Sequence, residues 1–373
     1  MKKVLLLALA MLLMTAQASA DTLLNGWVDR GIVPAEVEVN MSEDDVSPTT
    51  GRDLNEIDVP ENANGLAASG CYTPFLVQID NVDGGTGKNA PWGAKWADIV
   101  YESPLYLADK DTNAMETRIS LLFSDVIPSS VGPVRSTRVG HAWLREEWDC
   151  GFVFDGQQNN EKASVQDVFN DYGAADKDVL FSASAKGREW KQLFSKRSGV
   201  QAPHNTSIAL AQLTAYLPDA HEAANHTFLF MDEQPAQSKP AGTVTVSWNF
   251  PGYNSRLVYD EAVGGYVRFM LDADKNATPY ADMDTNEALV FANVVVQHTV
   301  TEWPRADAPV TNVVGEGNAD FFMGGVRVAG YWKRDTMDAR TVYYDLSGDE
   351  LQMQRGKTLI ILLPEECAVS YAK

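Results

Sequence analysis

Residues 138–155, Arg-Val-Gly-His-Ala-Trp-Leu-Arg-Glu-Glu-Trp-Asp-Cys-Gly-Phe-Val-Phe-Asp, hold the alternation that decides the fold. Arg138 to Trp148 reads as a helix, and Gly151 to Asp155 as a short apolar strand after it. Upstream, residues 73–82 begin as a buried strand and end in polar residues. Ala97 to Glu102 and Thr117 to Ser124 read as two more strands, rich in Ile, Val, Tyr, Leu and Phe. Helical patterns recur near 162–171 and 206–217, with Asn205 or Thr206 as N-cap of the latter. Strands alternating with helices predict an α/β domain with a mixed sheet over residues 67–230.

Beyond it the pattern changes. Residues 231–242 are polar, contain Pro235 and Pro240, and read as a linker. Residues 243–373 are mostly β in pattern. Thr243–Phe250 alternates, and Leu257–Asp260 and Tyr266–Met270 flank the hairpin signal Gly264-Gly265. Ala288–Val300, Val326–Trp332, Thr341–Tyr344 and Thr358–Leu363 are further strands. The predicted class is α+β or α/β: an N-terminal mixed-sheet α/β domain, then a smaller mostly-β domain built as a small sheet or barrel.

Residues 1–20 read as a cleavable leader. Lys2 and Lys3 are basic, Val4 to Met14 is a short apolar run, and Ala18-Ser19-Ala20 supplies small residues for cleavage. No cysteine follows directly, and no run is long and apolar enough to span a bilayer. The expectation is an exported protein, periplasmic or extracellular. Residues 21–66 are acid-rich with only Arg30 and Arg52 as bases, and read as a solvated tether. The whole chain of 373 residues has 30 Lys+Arg against 51 Asp+Glu, a net charge of −21, which disfavours nucleic acid and anionic lipid as partners. Cys71, Cys150 and Cys367 allow at most one internal disulfide, with three possible pairings.

Several signatures fail. Gly87-Lys88 is followed by Asn89, so no phosphate-cradling Walker loop forms. His221 and His226 in His-Glu-Ala-Ala-Asn-His are five residues apart, one more than the zinc-protease motif. On a helix they would point about 140° apart. Asp272, Asp274 and Asn276 match the first three ligand positions of a calcium loop. Ala277 and Met283 stand where Gly and Glu belong, with Asp282 and Asp284 near. This segment reads either as a calcium site or as a solvated hairpin tip.

The unusual segment is Val131-Gly-Pro-Val-Arg-Ser-Thr-Arg138. Ser136 or Thr137 can cap the helix that follows, which puts Arg135 and Arg138 at its start. Cations there oppose the helix dipole, so an anion or carboxylate partner is expected, either a ligand or an internal acid such as Glu102 or Asp98.

These residues also carry a resemblance. Ile79-Asp80-Asn81, Ala97-Asp98-Ile99-Val100-Tyr101-Glu102, Thr117-Arg118, Val131 to Arg138 and Ala202-Pro203-His204-Asn205 look like the N-terminal domain of the YerB-like family. The second domain is matched by Asn293 to Gln297, Gly330-Tyr331-Trp332-Lys333, Tyr344-Asp345 and Gly356-Lys357. The resemblance implies a two-domain exported lipoprotein of unknown function. This chain departs from that pattern in lacking the lipidated Cys and an Arg-Pro-Gln stretch after Asn81. It also carries Phe154-Asp155-Gly156-Gln157 in place of His-Ala-Gly-Gly-Ser.

Two functional readings result. In the first, Asp80, Asn81, Glu102, Arg118, Arg135, Ser136, Arg138, His204 and Asn205 line a cleft that binds an anionic group of an envelope glycan or peptide. In the second, the same cleft hydrolyses an envelope substrate. Asp80 or Glu102 would act as base, His204 as acid or base, and Arg118 with Arg135 would stabilise an oxyanion. A polar network that only fixes the fold would use the same residues.

Overall fold

Phe75–Ile79 (β1) is apolar except for Gln78, and all five residues are buried. That is the pattern of a strand covered on both faces. Its neighbours share the property: Ile99–Asp109 (β2) is buried over its first seven residues, and Ala114–Phe123 (β3) over nearly its whole length. The computed structural model describes residues 45–217, 228–235 and 238–373. The leader, the first part of the tether and the His221–His226 pair lie outside the described residues.

Val139–Trp148 (α1) follows, then Gly151–Phe154 (β4), Val165–Asp171 (α2) and Leu180–Ser182 (β5). β1, β4 and β5 run parallel, side by side. α2 is capped by Ser164, whose hydroxyl accepts from the Asp167 N–H. The helix expected over 206–217 is largely absent. Phe194–Lys196 (β6) pairs antiparallel with Thr206–Ile208 (β7) instead, and only short helical turns follow at Leu210–Leu213 and Thr214–Tyr216. The β-branched Thr206 and Ile208 favour the extended chain, and Ile208 also exchanges backbone hydrogen bonds with Val131.

The C-terminal half supplies Thr243–Ser247 (β8), Ser255–Asp260 (β9), Gly265–Leu271 (β10), Ala277–Pro279 (β11) and Asn293–Thr299 (β12). Then come Thr301–Arg305 (β13), Ala308–Thr311 (β14), Gly315–Met323 (β15), Val326–Arg334 (β16), Thr358–Pro364 (β17) and Ala368–Ala372 (β18). β8 to β11 and β18 form one antiparallel sheet. Its β9–β10 hairpin turns at Gly264, whose φ of +63° is a left-handed conformation that glycine takes without strain.

The two halves are mixed α/β and mostly β, and besides the second half's own antiparallel sheet they share the main one. β17 lies between β12 and β2 and runs parallel to both, with Glu102 opposite Ile361. Among the described residues the main sheet has 11 strands: nine run β16-β15-β12-β17-β2-β3-β1-β4-β5 across the expected linker, and Lys239–Pro240 and Val342–Asp345 both pair with β16. The small sheet expected of the second half is present among the described residues as the antiparallel one of β8 to β11 and β18, while its other long strands extend the first half's sheet. α1 lies on one face of the main sheet, tied to β2 by the Trp148 indole N–H on the Tyr101 hydroxyl and to β16 by Arg334 on Glu147.

The end of the acidic stretch is docked rather than solvated. Ser47, Thr49 and Thr50 are buried, and the Ser47 and Thr50 hydroxyls donate to the Asp125 carboxylate at 2.6 and 2.7 Å. No disulfide forms: Cys71 is exposed, while Cys150 and Cys367 are buried, and all three are free thiols. No helix among the described residues is long and apolar enough to cross a membrane.

Candidate functional site

β1 ends at Ile79, and the next two side chains diverge. Successive residues of an extended chain point to opposite faces. Asp80 joins the face under α1; Asn81 joins the face under the second sheet. The neighbouring pair Thr117 and Arg118 on β3 divides in the same way, Arg118 to Asp80 and Thr117 to Asn81.

On the α1 face Asp80 gathers three basic side chains. Arg118 Nη1 donates to Oδ1 at 3.0 Å. Arg135 Nε stands 3.3 Å from Oδ2. His204 Nδ1 lies 2.5 Å from Oδ2. An ionised carboxylate only accepts, so Nδ1 carries the proton and Nε2 remains for other contacts. Arg118 and Asp80 form a buried base. The side chains of Arg135 and His204, 26% and 27% exposed, form the rim.

Backbone pairing sets this arrangement. The Arg135 N–H donates to the Gln78 carbonyl, and the Asp155 N–H donates to the Arg135 carbonyl. The Asp80 N–H donates to the Pro133 carbonyl, and the Val134 N–H to the Thr206 carbonyl. Segment 131–137 is thereby stitched across the C-terminal ends of the parallel strands β1 and β4, the usual position of a ligand crevice in α/β sheets. Asp155 accepts from the Thr206 hydroxyl at 2.8 Å and faces Lys196 Nζ at 3.8 Å.

Arg138 has a different role from the one expected. Neither Ser136 nor Thr137 caps α1. Arg138 is itself the N-cap, extended at φ −128° and ψ 170°, and its N–H donates to His141 Nδ1 at 3.1 Å. His141 Nε2 is 2.9 Å from the Ser103 hydroxyl. The Arg138 guanidinium donates to the carbonyls of Asp307 and Thr137, and among the described residues it pairs with no carboxylate. Ser136 and Asn205 are half-buried beside the cluster, and Asn205 Oδ1 is buried with no hydrogen-bond partner.

Positive charge is in surplus here. Arg118 and Arg135 share the Asp80 carboxylate with His204, Arg138 lies near enough to both arginines to feel their charge, and Arg118 Nε is buried without a partner. Burial pushes the Asp80 carboxyl up. Arg118, the His204 hydrogen bond and Arg135 outweigh it and hold the group below the usual range. Burial first, and Arg118 second, push Arg138 down to about 10. Burial, then Arg118 and Arg138, keep His141 well below its ordinary value, so it stays neutral and accepts from the Arg138 N–H.

Glu102 does not belong to this opening. It is fully buried on the opposite face, where Oε1 accepts from Thr117 at 2.8 Å and Oε2 from Arg268 Nη2 at 2.6 Å. Asn81 Nδ2 donates to the same Thr117 hydroxyl at 2.7 Å, and Arg268 stacks 4.5 Å over the Tyr280 ring. With no solvent-facing edge, Glu102 can serve neither as base nor as ligand residue, and Asn81 is sealed with it. The sequence reading also missed Arg268, His141, Asp155, Thr206 and Lys196. The first has no local signal, because its partner is 166 residues away.

Asp272, Asp274 and Asn276 form an exposed hairpin tip. Both Asp272 oxygens accept from their own loop: the Asp274 and Asn276 N–H groups and the Asn276 side chain. Among the described residues no three His, Cys, Asp or Glu side chains group to hold a metal ion.

Residues 65–223 match the N-terminal domain, and residues 244–360 the C-terminal domain, of a family described as protein of unknown function (DUF3048). The gap between the matched segments contains the polar stretch 231–242. Among solved structures, the crystal structure of YerB protein from Bacillus subtilis is similar with a TM-score of 0.63 at 20% identity, over 87% of this chain and 99% of that one. At that identity the likeness shows the fold. A search of curated proteins found no match.

Proposed function

We propose an anion-binding function, set outside the cytoplasm, for this chain, which belongs to the DUF3048 family through both of that family's domains. The ligand is a carboxylate or phosphate group of an envelope glycan or peptide. One observation carries the reading: in a chain of net charge −21, two guanidinium groups and a histidine converge on the Asp80 carboxylate at the C-terminal ends of β1 and β4, with the Arg138 guanidinium close enough to be repelled by both arginines. Asp80 offsets one of these charges. An incoming anion would offset the others and accept hydrogen bonds from Arg135, Arg138 and His204 at the rim. The basic, apolar and small-residue pattern of residues 1–20 supports the extracytoplasmic setting.

The test uses inorganic phosphate and citrate as probes. The melting temperature should rise with either, following the mass-action law for a ligand bound only by the folded state. In Arg135→Ala/Arg138→Ala the rise should vanish while the unliganded melting temperature stays within a few degrees. A wild-type protein indifferent to both anions would overturn the reading, as would an undiminished response in the variant.

Hydrolysis is a second reading, favoured by one contact. The Asp80–His204 pair has the geometry of a carboxylate that orients a histidine for proton transfer through Nε2. Cleavage of muropeptide fragments that disappears in His204→Ala would support it; equal cleavage by the variant would reject it.

A further inference from the structure

A second hollow lies at the other end of the main sheet. Asp98 directly precedes β2 and Lys357 directly precedes β17, and the Thr358 N–H on the Asp98 carbonyl ties the two strand starts together. Between them is a space of about 340 Å³, within the range of roughly 300–1,000 Å³ for small-molecule sites. Arg52, Lys357, Asp98 and Asp125 line it, with Asp58, Lys95 and Glu287 also on its wall, and its apolar walls include Trp96, Leu289 and Phe291.

The charges are arranged unusually. Arg52 and Lys357 have neither an ion-pair nor a side-chain hydrogen-bond partner among the described residues. Arg52 and Lys95 lie close enough to Lys357 to act with burial in lowering its pKa to about 8, against the pull of Asp98. Lys95 is itself engaged, with Glu287 at 2.6 Å and over the Trp96 ring. The acids stand together as well. Burial first, then Asp125, raise Asp98 to about 8. Its donors, the Ser124 N–H and hydroxyl and the Asp125 N–H, all bind Oδ2, so Oδ1 receives none of them. Opposite charges in a poorly solvated space attract strongly. Lys95 and Glu287 pair at one wall, yet neither Arg52 nor Lys357 comes within 4.0 Å of a carboxylate among the described residues.

We propose that this hollow binds a small zwitterion of the α-amino-acid class. The ammonium group meets Asp98 and Asp125, the carboxylate meets Lys357 and Arg52, and an apolar side chain lies against Trp96, Leu289 and Phe291. A simple anion would neutralise the cations but leave the Asp98–Asp125 pair without a cation. A simple cation would face the reverse. A metal ion would need three ligand side chains grouped together, and among the described residues no three His, Cys, Asp or Glu group so. One molecule with both charges, a few bonds apart, meets both walls.

Calorimetry and thermal unfolding of the full chain test this with L-leucine, its ammonium-only analogue isoamylamine and its carboxylate-only analogue 4-methylvalerate, alongside a panel of the common amino acids in both hands. At least one zwitterion should give saturable binding and raise the melting temperature, with each singly charged analogue of it at least tenfold weaker. Lys357→Met and Asp98→Asn should each weaken that binding tenfold or more. Should either fail to fold, Arg52→Gln at the rim gives the same test, with a smaller loss expected. Arg135→Ala should leave it unchanged, which separates this hollow from the anion crevice. Equal binding of a singly charged analogue, unaltered binding in the variants, or no response to any member of the panel would overturn the proposal.

Discussion

The two faces of the main sheet carry nearly the same ingredients and put them to different use. Under the second sheet, Glu102 and Arg268 are both wholly buried and paired; Thr117 donates to Glu102 and accepts from Asn81, while Arg268 Nε and Nη1 have no partner. Under α1, Asp80 and Arg118 are also buried, but Arg135 and His204 continue the cluster to the surface and Arg138 adds a charge with no carboxylate of its own. A carboxylate–guanidinium pair therefore says little by itself about function. What separates the faces is the remaining balance: one matched and closed, the other in positive excess and open to water.

The largest effect should come from the closed face. Glu102→Ala leaves Arg268 buried and unpaired, and urea unfolding should show a loss of about 3–5 kcal/mol. Glu102→Leu combined with Arg268→Met should recover most of it. A single variant costing no more than its counterpart His204→Ala at the open rim would break the comparison. Next is Thr117→Val, which strips a hydrogen bond from both Asn81 and Glu102 and should cost about 1–3 kcal/mol.

Acid titration should then separate the faces by sign. Asp80 is held below its ordinary range, so its contribution is present above the unfolded value of about 3.9 and lost as pH falls through the lower folded value. Burial raises Glu102 despite Arg268, so its folded value lies above its unfolded one. Its contribution declines as pH rises past about 4.3. Stability differences between wild type and Asp80→Asn, and between wild type and Glu102→Gln, should slope in opposite directions with pH. Parallel slopes would erase the distinction. The smallest expected change is at the rim: Arg135→Ala should alter unliganded stability by less than about 1 kcal/mol, because its side chain is partly solvated.

Much of the open face was legible in the chain. Ile79-Asp80-Asn81, Thr117-Arg118 and the Val131–Arg138 segment stood out because each places charge beside apolar strand residues or a helix start. The helix over 138–148 and the strand after it appear within one residue of the expected bounds. The closed face was hidden for a physical reason. Strand alternation sends Asn81 and Thr117 away from Asp80 and Arg118, but which face meets solvent depends on what covers the sheet. That cover, with Arg268, comes from the other half of the chain. Thr206–Ile208 misled for a related reason, since its pairing with Phe194–Lys196 and Val131 overrides a local helical pattern. The division at 231–242 is real in composition, yet a polar stretch carries no record of strand pairing on either side of it.

That pairing has a consequence for biogenesis. A polypeptide emerges amino end first, and β2 waits with one edge bare until β17, from far downstream in the other half, slides in beside it. Until then the nascent molecule exposes the template on which cross-molecule aggregation begins. Maturation of the first half is thus tied to the arrival of β17, and a chain cut short before it would be a sticky, unfinished product rather than a working half.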